Sequence, residues 1–125
     1  METQDKLKTV LGLLDEMKAS DVVTVDAAGR TILTDYFVLA TATSDTHAKA
    51  VTNHLTVKMK ALGAPPNHVE ADQGWEWTIL DLDDVIVHLF QESTRSFYNL
   101  EELWGLVSSV RKKEPVVVRK RIRAR

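Results

Sequence analysis

Cysteine is absent from the 125 residues. That excludes a disulfide framework and a thiolate metal site, and it makes a reducing compartment the natural home of the chain. Long apolar runs are absent too: no stretch of about 18 such residues occurs, so a membrane span is excluded. The opening Met1-Glu2-Thr3-Gln4-Asp5 has neither the basic segment nor the apolar stretch of a secretory signal. The cytoplasm is therefore the expected location. Internal repeats and low-complexity segments are also missing. What is present is ordinary for a soluble globular protein, with 44% apolar and 27% charged residues. The length suits one small domain with a single hydrophobic core.

The formal net charge of -2 hides a division. Residues 1–110 carry eight Lys or Arg against seventeen acidic side chains, a surplus of nine negative charges. Residues 111–125 carry eight basic side chains against one acid, Glu114, a surplus of seven positive charges. An acidic body repels nucleic acid and suits a basic partner, whereas the tail does the opposite. The chain thus divides into a domain over 1–110 and a basic C-terminal tail over 111–125, read as flexible.

Hydrophobic periodicity predicts a first helix over 6–18, where Leu7, Val10, Leu11, Leu14 and Met17 share one face. Residues 21–26 and 35–42 read as strands, β-branched or apolar nearly throughout. Thr43-Ser44-Asp45 follows the second strand, and Ser44 is a good N-cap for a helix over 45–62 that Gly63 ends. Residues 76–81 and 85–90 read as two strands joined tightly through Leu82-Asp83-Asp84, a hairpin signal. A last helix is expected over 95–107, with Phe97, Leu100, Leu103, Trp104 and Val107 inward. The order is α-β-β-α-β-β-α, an α/β domain with a small mixed sheet flanked by helices.

The sharpest catalytic candidate is Asp81 with Asp83, a carboxylate pair that could hold magnesium for nucleotidyl transfer. Such an enzyme also needs a glycine-rich turn to seat phosphates, and Ala42-Thr43-Ser44-Asp45 offers neither glycine nor a nearby lysine. A tight turn would moreover aim Asp83 and Asp84 away from Asp81, leaving solvated acids of a hairpin. The histidines give no metal site. His47 and His54 are seven residues apart, about 10 Å along a helix, and His68 falls in a loop. His88 alternates with apolar neighbours, as a buried sheet residue with a hydrogen-bond partner would. Ser44, Asp45 and His47 are accounted for by capping. Neither cofactor nor metal is expected.

Trp77 opens a strand beside Asp72, Glu76 and Asp81, and alternation puts Trp77, Ile79 and Asp81 on one face. A tryptophan ringed by carboxylates is a core residue or an interface anchor with an acidic rim. Leu82, at an apparently exposed turn, has no core reason to be apolar. The tail places Arg119, Lys120, Arg121, Arg123 and Arg125 among its last seven residues, a pattern that attracts phosphate or remains merely solvated.

Two blocks carry a resemblance. Asp35-Tyr36-Phe37-Val38, then Ala40-Thr41-Ala42-Thr43-Ser44 with His47 and Lys49, resembles the first signature of the Iojap-like ribosomal silencing factors. The stretch from Trp77 through Asp81-Leu82-Asp83-Asp84-Val85-Ile86-Val87-His88, followed by Arg95, Phe97-Tyr98 and Leu100-Glu101-Glu102-Leu103-Trp104, resembles that family's C-terminal half. The similarity covers about residues 6–105. It implies a nucleotidyltransferase-like fold without the catalytic residues, hence no enzyme. It implies binding to the large ribosomal subunit through ribosomal protein L fourteen, which keeps the small subunit from docking and represses translation when nutrients are short. Homodimers occur in the family, so a second copy is a further expected partner; a membrane is not.

The family's contact surface maps onto Trp77 and Leu82, with Asp81, Asp83 and Asp84 as an acidic rim and Tyr98 as a lesser contact. The tail lies beyond the motifs, and its basic residues are expected to touch ribosomal RNA. The family commonly has glycine where Asp83 and Ala42 stand. The alternatives are a metal-dependent nucleotidyltransferase-like enzyme using Asp81 and Asp83, and a ribosome-assembly factor acting through RNA.

Overall fold

The computed structural model describes residues 1–28 and 34–93 in full and the backbone of residues 117–120. Its elements are α1 (Thr3–Glu16), β1 (Ser20–Asp26), β2 (Tyr36–Ala42), α2 (Asp45–Ala61), β3 (His68–Ala71), β4 (Trp77–Asp81), β5 (Val85–Gln91) and β6 (Val117–Lys120). The strands form one mixed sheet in the order β3-β4-β5-β2-β1-β6. The central β2–β5 pair is parallel and every other pair is antiparallel.

The α/β class, the β4–β5 hairpin and the strands β1 and β2 agree with the sequence reading, and so do both helices. Ser44 is extended and its hydroxyl accepts from the backbone N–H of His47 at 3.1 Å, which starts α2 as a cap should. Gly63, at φ 81°, stops it: its N–H reaches the Lys60 carbonyl at 3.0 Å and that of Ala64 reaches Met59 at 2.8 Å. This paired closure needs the left-handed conformation that glycine supplies at no steric cost. Ala42 is fully buried at the corner between β2 and α2.

Strand alternation sorts the sheet's side chains onto two faces. Val22, Val38, Ala40, Leu80, Val87 and Leu89 meet Leu7, Val10, Leu13 and Leu14 of α1 and Val51, Leu55 and Met59 of α2 in the main core. On the opposite face Val23, Val25, Leu39 and Phe90 form a second, smaller cluster, with Phe37 and Trp77 packed at its margin.

Two strands escaped the sequence reading. β3 lies where a plain connection was expected; its residues are mostly exposed, so it carries no apolar alternation to announce it. β6 falls inside the tail that was read as flexible. Residues 117–120 instead pair antiparallel with β1, with Arg119 opposite Thr24 and Lys120 opposite Val23. The β-branched run Val116-Val117-Val118 suits such an edge. The helix expected over 95–107 lies outside the described residues.

Candidate protein-binding face at the β4–β5 hairpin

Trp77 opens β4 on the sheet face away from the helices, directly opposite Phe90 of β5. It is half-buried. Its ring centroid lies 5.2 Å from that of Phe90 and 6.0 Å from that of His88. The indole Nε1–H donates to His88 Nδ1 at 3.0 Å. The Asp72 carboxylate accepts from the backbone N–H groups of Glu76 at 2.7 Å and Trp77 at 3.1 Å, which holds the chain as it enters β4. Trp75 takes the other side: it packs at the margin of the main core, with Lys49 Nζ 5.9 Å from its ring centroid.

Register places Ile79 beside Trp77 on the same face, as alternation predicts, and Asp81 beyond it. Glu70 of β3 stands opposite Ile79, and His68 opposite Asp81. The outer margin of this face therefore joins Trp77 and Ile79 to the carboxylates of Glu70 and Asp81. Asp83, exposed at the hairpin tip, adds a third. Its backbone N–H is received by Asp81 Oδ1 at 2.8 Å, and its φ is 80°.

Two expected contact residues lie elsewhere than the sequence suggested. Leu82 is 1% exposed and belongs to the main core, so the reading of an exposed apolar anchor is corrected. The first turn of α1 meets the hairpin at Leu82 and Asp84, while Asp83 between them stays exposed. Asp84, expected in the acidic rim, is committed internally. Its carboxylate pairs with Lys6 Nζ at 2.7 Å and accepts from the Thr3 hydroxyl. Lys6 Nζ also donates to the Leu82 carbonyl at 2.8 Å. Burial alone would raise the Asp84 pKa, but the Lys6 and Thr3 hydrogen bonds and the Lys6 charge outweigh it and hold the group below its usual value.

His88 is buried in β5, as its alternation predicted, and it receives a hydrogen bond from Trp77. Desolvation pushes its pKa down from 6.5 to about 4, so the ring is neutral near pH 7. The sequence reading missed its tie to Trp77, as it missed Lys6. A signal existed for Lys6: it precedes Val10 by four residues on the stripe α1 buries. Tyr98 lies outside the described residues, as do Arg121, Arg123 and Arg125; Arg119 and Lys120 are placed in β6. Among the described residues no group of three or more His, Asp and Glu side chains could hold a metal ion, and no helix is long and apolar enough to cross a membrane.

The domain is thus a mixed sheet with two helices on one face and an acidic, tryptophan-bearing margin on the other. Comparison with known proteins gives it a family. The family model described as "Ribosomal silencing factor during starvation" matches residues 1–125. A ribosomal silencing factor of Zymomonas mobilis is 36% identical over 99 residues, which span 79% of this chain and 74% of that protein. The Iojap-related mitochondrial protein of Arabidopsis thaliana is 31% identical, over 82% of this chain and 58% of its own length. A crystal structure of a Chromobacterium violaceum protein superposes with a TM-score of 0.78 at 32% identity, over 84% of this chain and 88% of that one. The chain belongs to the ribosomal silencing factor family, a ribosome-associated regulatory family and not one of enzymes. The nucleotidyltransferase alternative built on Asp81 and Asp83 falls with that assignment.

Proposed function

We propose that this protein acts in the cytoplasm by binding the large ribosomal subunit through ribosomal protein L fourteen. The bound protein occupies the surface the small subunit would use, and it represses translation under nutrient limitation. One observation carries the reading: a half-buried tryptophan stands at the margin of a sheet face beside Ile79, with Glu70 opposite Ile79 and Asp81 and Asp83 farther along the hairpin. Ribosomal proteins are generally basic. An acidic rim steers such a partner, and an aromatic anchor supplies affinity once the contact is dry. Trp77, Asp81 and Asp83 make the contact directly, and Tyr98 is a lesser contact. Leu82 and Asp84 act from below by fixing the hairpin. Arg119, Lys120, Arg121, Arg123 and Arg125 serve a separate contact with ribosomal RNA phosphates, since β6, which holds the first two, is at the sheet edge opposite β3.

The test is sedimentation of purified subunits with wild-type protein and with Trp77→Ala. Wild type is expected to travel with the large subunit and suppress reassociation, and the variant to lose at least about tenfold in affinity, as a hot-spot truncation does. Equal co-sedimentation of both would remove Trp77 as the anchor. A wild-type protein that ignores ribosomes would end the reading altogether.

A further inference from the structure

We propose that His88 is a positioning residue for the contact made by Trp77: its ring holds the indole N–H inward and fixes which surface of the tryptophan a partner meets. The inference rests on the protein-binding reading of Trp77 given above.

The register makes the arrangement specific. The direct cross-strand partner of Trp77 is Phe90, whereas His88 stands opposite Ile79. The indole must therefore lean diagonally along β5 to place Nε1 at 3.0 Å from His88 Nδ1. Diagonal neighbours in a sheet are within reach of aromatic side chains, but nothing in the pairing compels that direction. An acceptor at position 88 does. The acceptor is itself held: the imidazole lies 5.6 Å from Phe37 and nearly parallel to Phe90 at 6.3 Å. It is 9% exposed on a strand with neighbours on both sides.

Polar chemistry explains why a histidine serves here. An indole N–H can only donate, and a buried donor without a partner is costly. Nδ1 can receive it only while it carries no proton, which puts the ring proton on Nε2. The neutral state that burial imposes is the state the hydrogen bond requires. The consequence for recognition follows. With its only polar atom turned inward, Trp77 offers a partner its π face and carbon edge. That surface packs aliphatic stems and takes a lysine or arginine cation; it does not donate a hydrogen bond. A basic protein surface is the partner chemistry this selects, in accord with the carboxylates of Glu70 and Asp81 farther along the same face.

The experiment is a double-mutant cycle on large-subunit affinity, using wild type, His88→Leu, Trp77→Phe and the double variant, with His88→Asn as the rescue and Trp77→Ala as the reference. Indole N–H signals of the labelled proteins are followed by NMR. His88→Leu and Trp77→Phe each break the same hydrogen bond. Each is expected to cost about tenfold in affinity, and the double variant to be no worse than the poorer single. In His88→Leu the Trp77 indole signal should shift and exchange faster with solvent. Asn carries an amide oxygen close to where Nδ1 stands, so His88→Asn should restore most of the affinity and the slow exchange; a purely space-filling role would make it the poorer replacement.

Losses that simply multiply in the double variant would overturn the proposal. So would wild-type affinity in His88→Leu while Trp77→Ala fails to bind, which would leave the contact reading intact. Wild-type affinity in Trp77→Ala would sink the contact reading itself, and the positioning role with it. Should His88→Leu not fold, Trp77→Phe and His88→Asn decide: the proposal requires the first to lose affinity and the second to keep it.

Discussion

At position 83 the backbone has φ 80°, a region where a side chain at Cβ meets the neighbouring carbonyl. Asp83 is the first of two residues between Leu82 and Val85, whose backbone groups bond at 2.9 Å. A hairpin turn of this kind places glycine at its first central residue when the sequence allows it. Asp tolerates the conformation better than most residues, and the bond from its N–H to Asp81 Oδ1 helps hold it. Strain of about 1 kcal/mol nevertheless remains. Asp83→Gly keeps the N–H and removes the strain, so it is expected to stabilise the fold by roughly 0.5–1 kcal/mol, read as a higher urea midpoint. The same substitution takes a negative charge from the rim and should slow association with the large subunit at low salt. A stability gain with slower binding would show that the residue serves recognition at the expense of the turn.

The element that fixes the hairpin is α1. Its first turn brings Thr3 and Lys6 to Asp84, and Lys6 also holds the Leu82 carbonyl. Asp84 completes the brace from its backbone: its carbonyl accepts from the N–H groups of Asp35 and Tyr36, both at 3.1 Å. Removing one member of such a pair strands the other where water reaches it poorly, and the loss exceeds the worth of the pair itself. Lys6→Met should therefore destabilise the fold by about 2–3 kcal/mol, less than for a fully buried pair because the Asp84 side chain is 23% exposed. Adding Asp84→Asn should recover part of the loss. Urea denaturation of the four proteins of the cycle measures both effects. Full additivity of the two substitutions would mean that the pair does not act as a unit.

This brace also explains how far the sequence could be read. Helix caps and strand alternation are local, so α2 with Ser44 and Gly63, the β4–β5 hairpin and the Trp77–Ile79–Asp81 face were all legible. Whether Leu82 is buried depends on α1, more than seventy residues away in the chain, lying across the hairpin. No pattern around Leu82 carries that information. Asp84 was misplaced for the same reason: its cation comes from Lys6. Among the described residues β3 pairs along one edge, with its side chains mostly exposed, so its strand character lies in backbone bonds to β4 that side-chain pattern does not report. The tryptophan face was legible as a face, but its tie to His88 was not, since the direct partner of Trp77 in the ladder is Phe90.

For the whole molecule, the buried imidazole couples fold stability to pH. The His88 pKa is about 4 in the folded chain against an ordinary 6.5. The unfolded chain thus binds more protons than the folded one between these values, and stability must rise with pH across that window. The contribution is complete above pH 6.5, declines as the pH falls, and is gone near pH 4. A difference of this size corresponds to at most about 3 kcal/mol. Asp84 acts in the same direction but later: its folded pKa is lowered, so its contribution is lost only as the pH falls below the ordinary carboxylate value of 3.8. A denaturation series from pH 7 to pH 4 should therefore show a slope that His88→Asn abolishes and Asp84→Asn leaves in place. In the folded chain the ring stays neutral through that window, so the Trp77 indole signal should hold steady and change only near pH 4, where Nδ1 takes up its proton. A wild-type profile as flat as that of His88→Asn would mean that burial does not depress the His88 pKa, and Nδ1 would then accept from Trp77 only above about pH 6.5 instead of down to about pH 4.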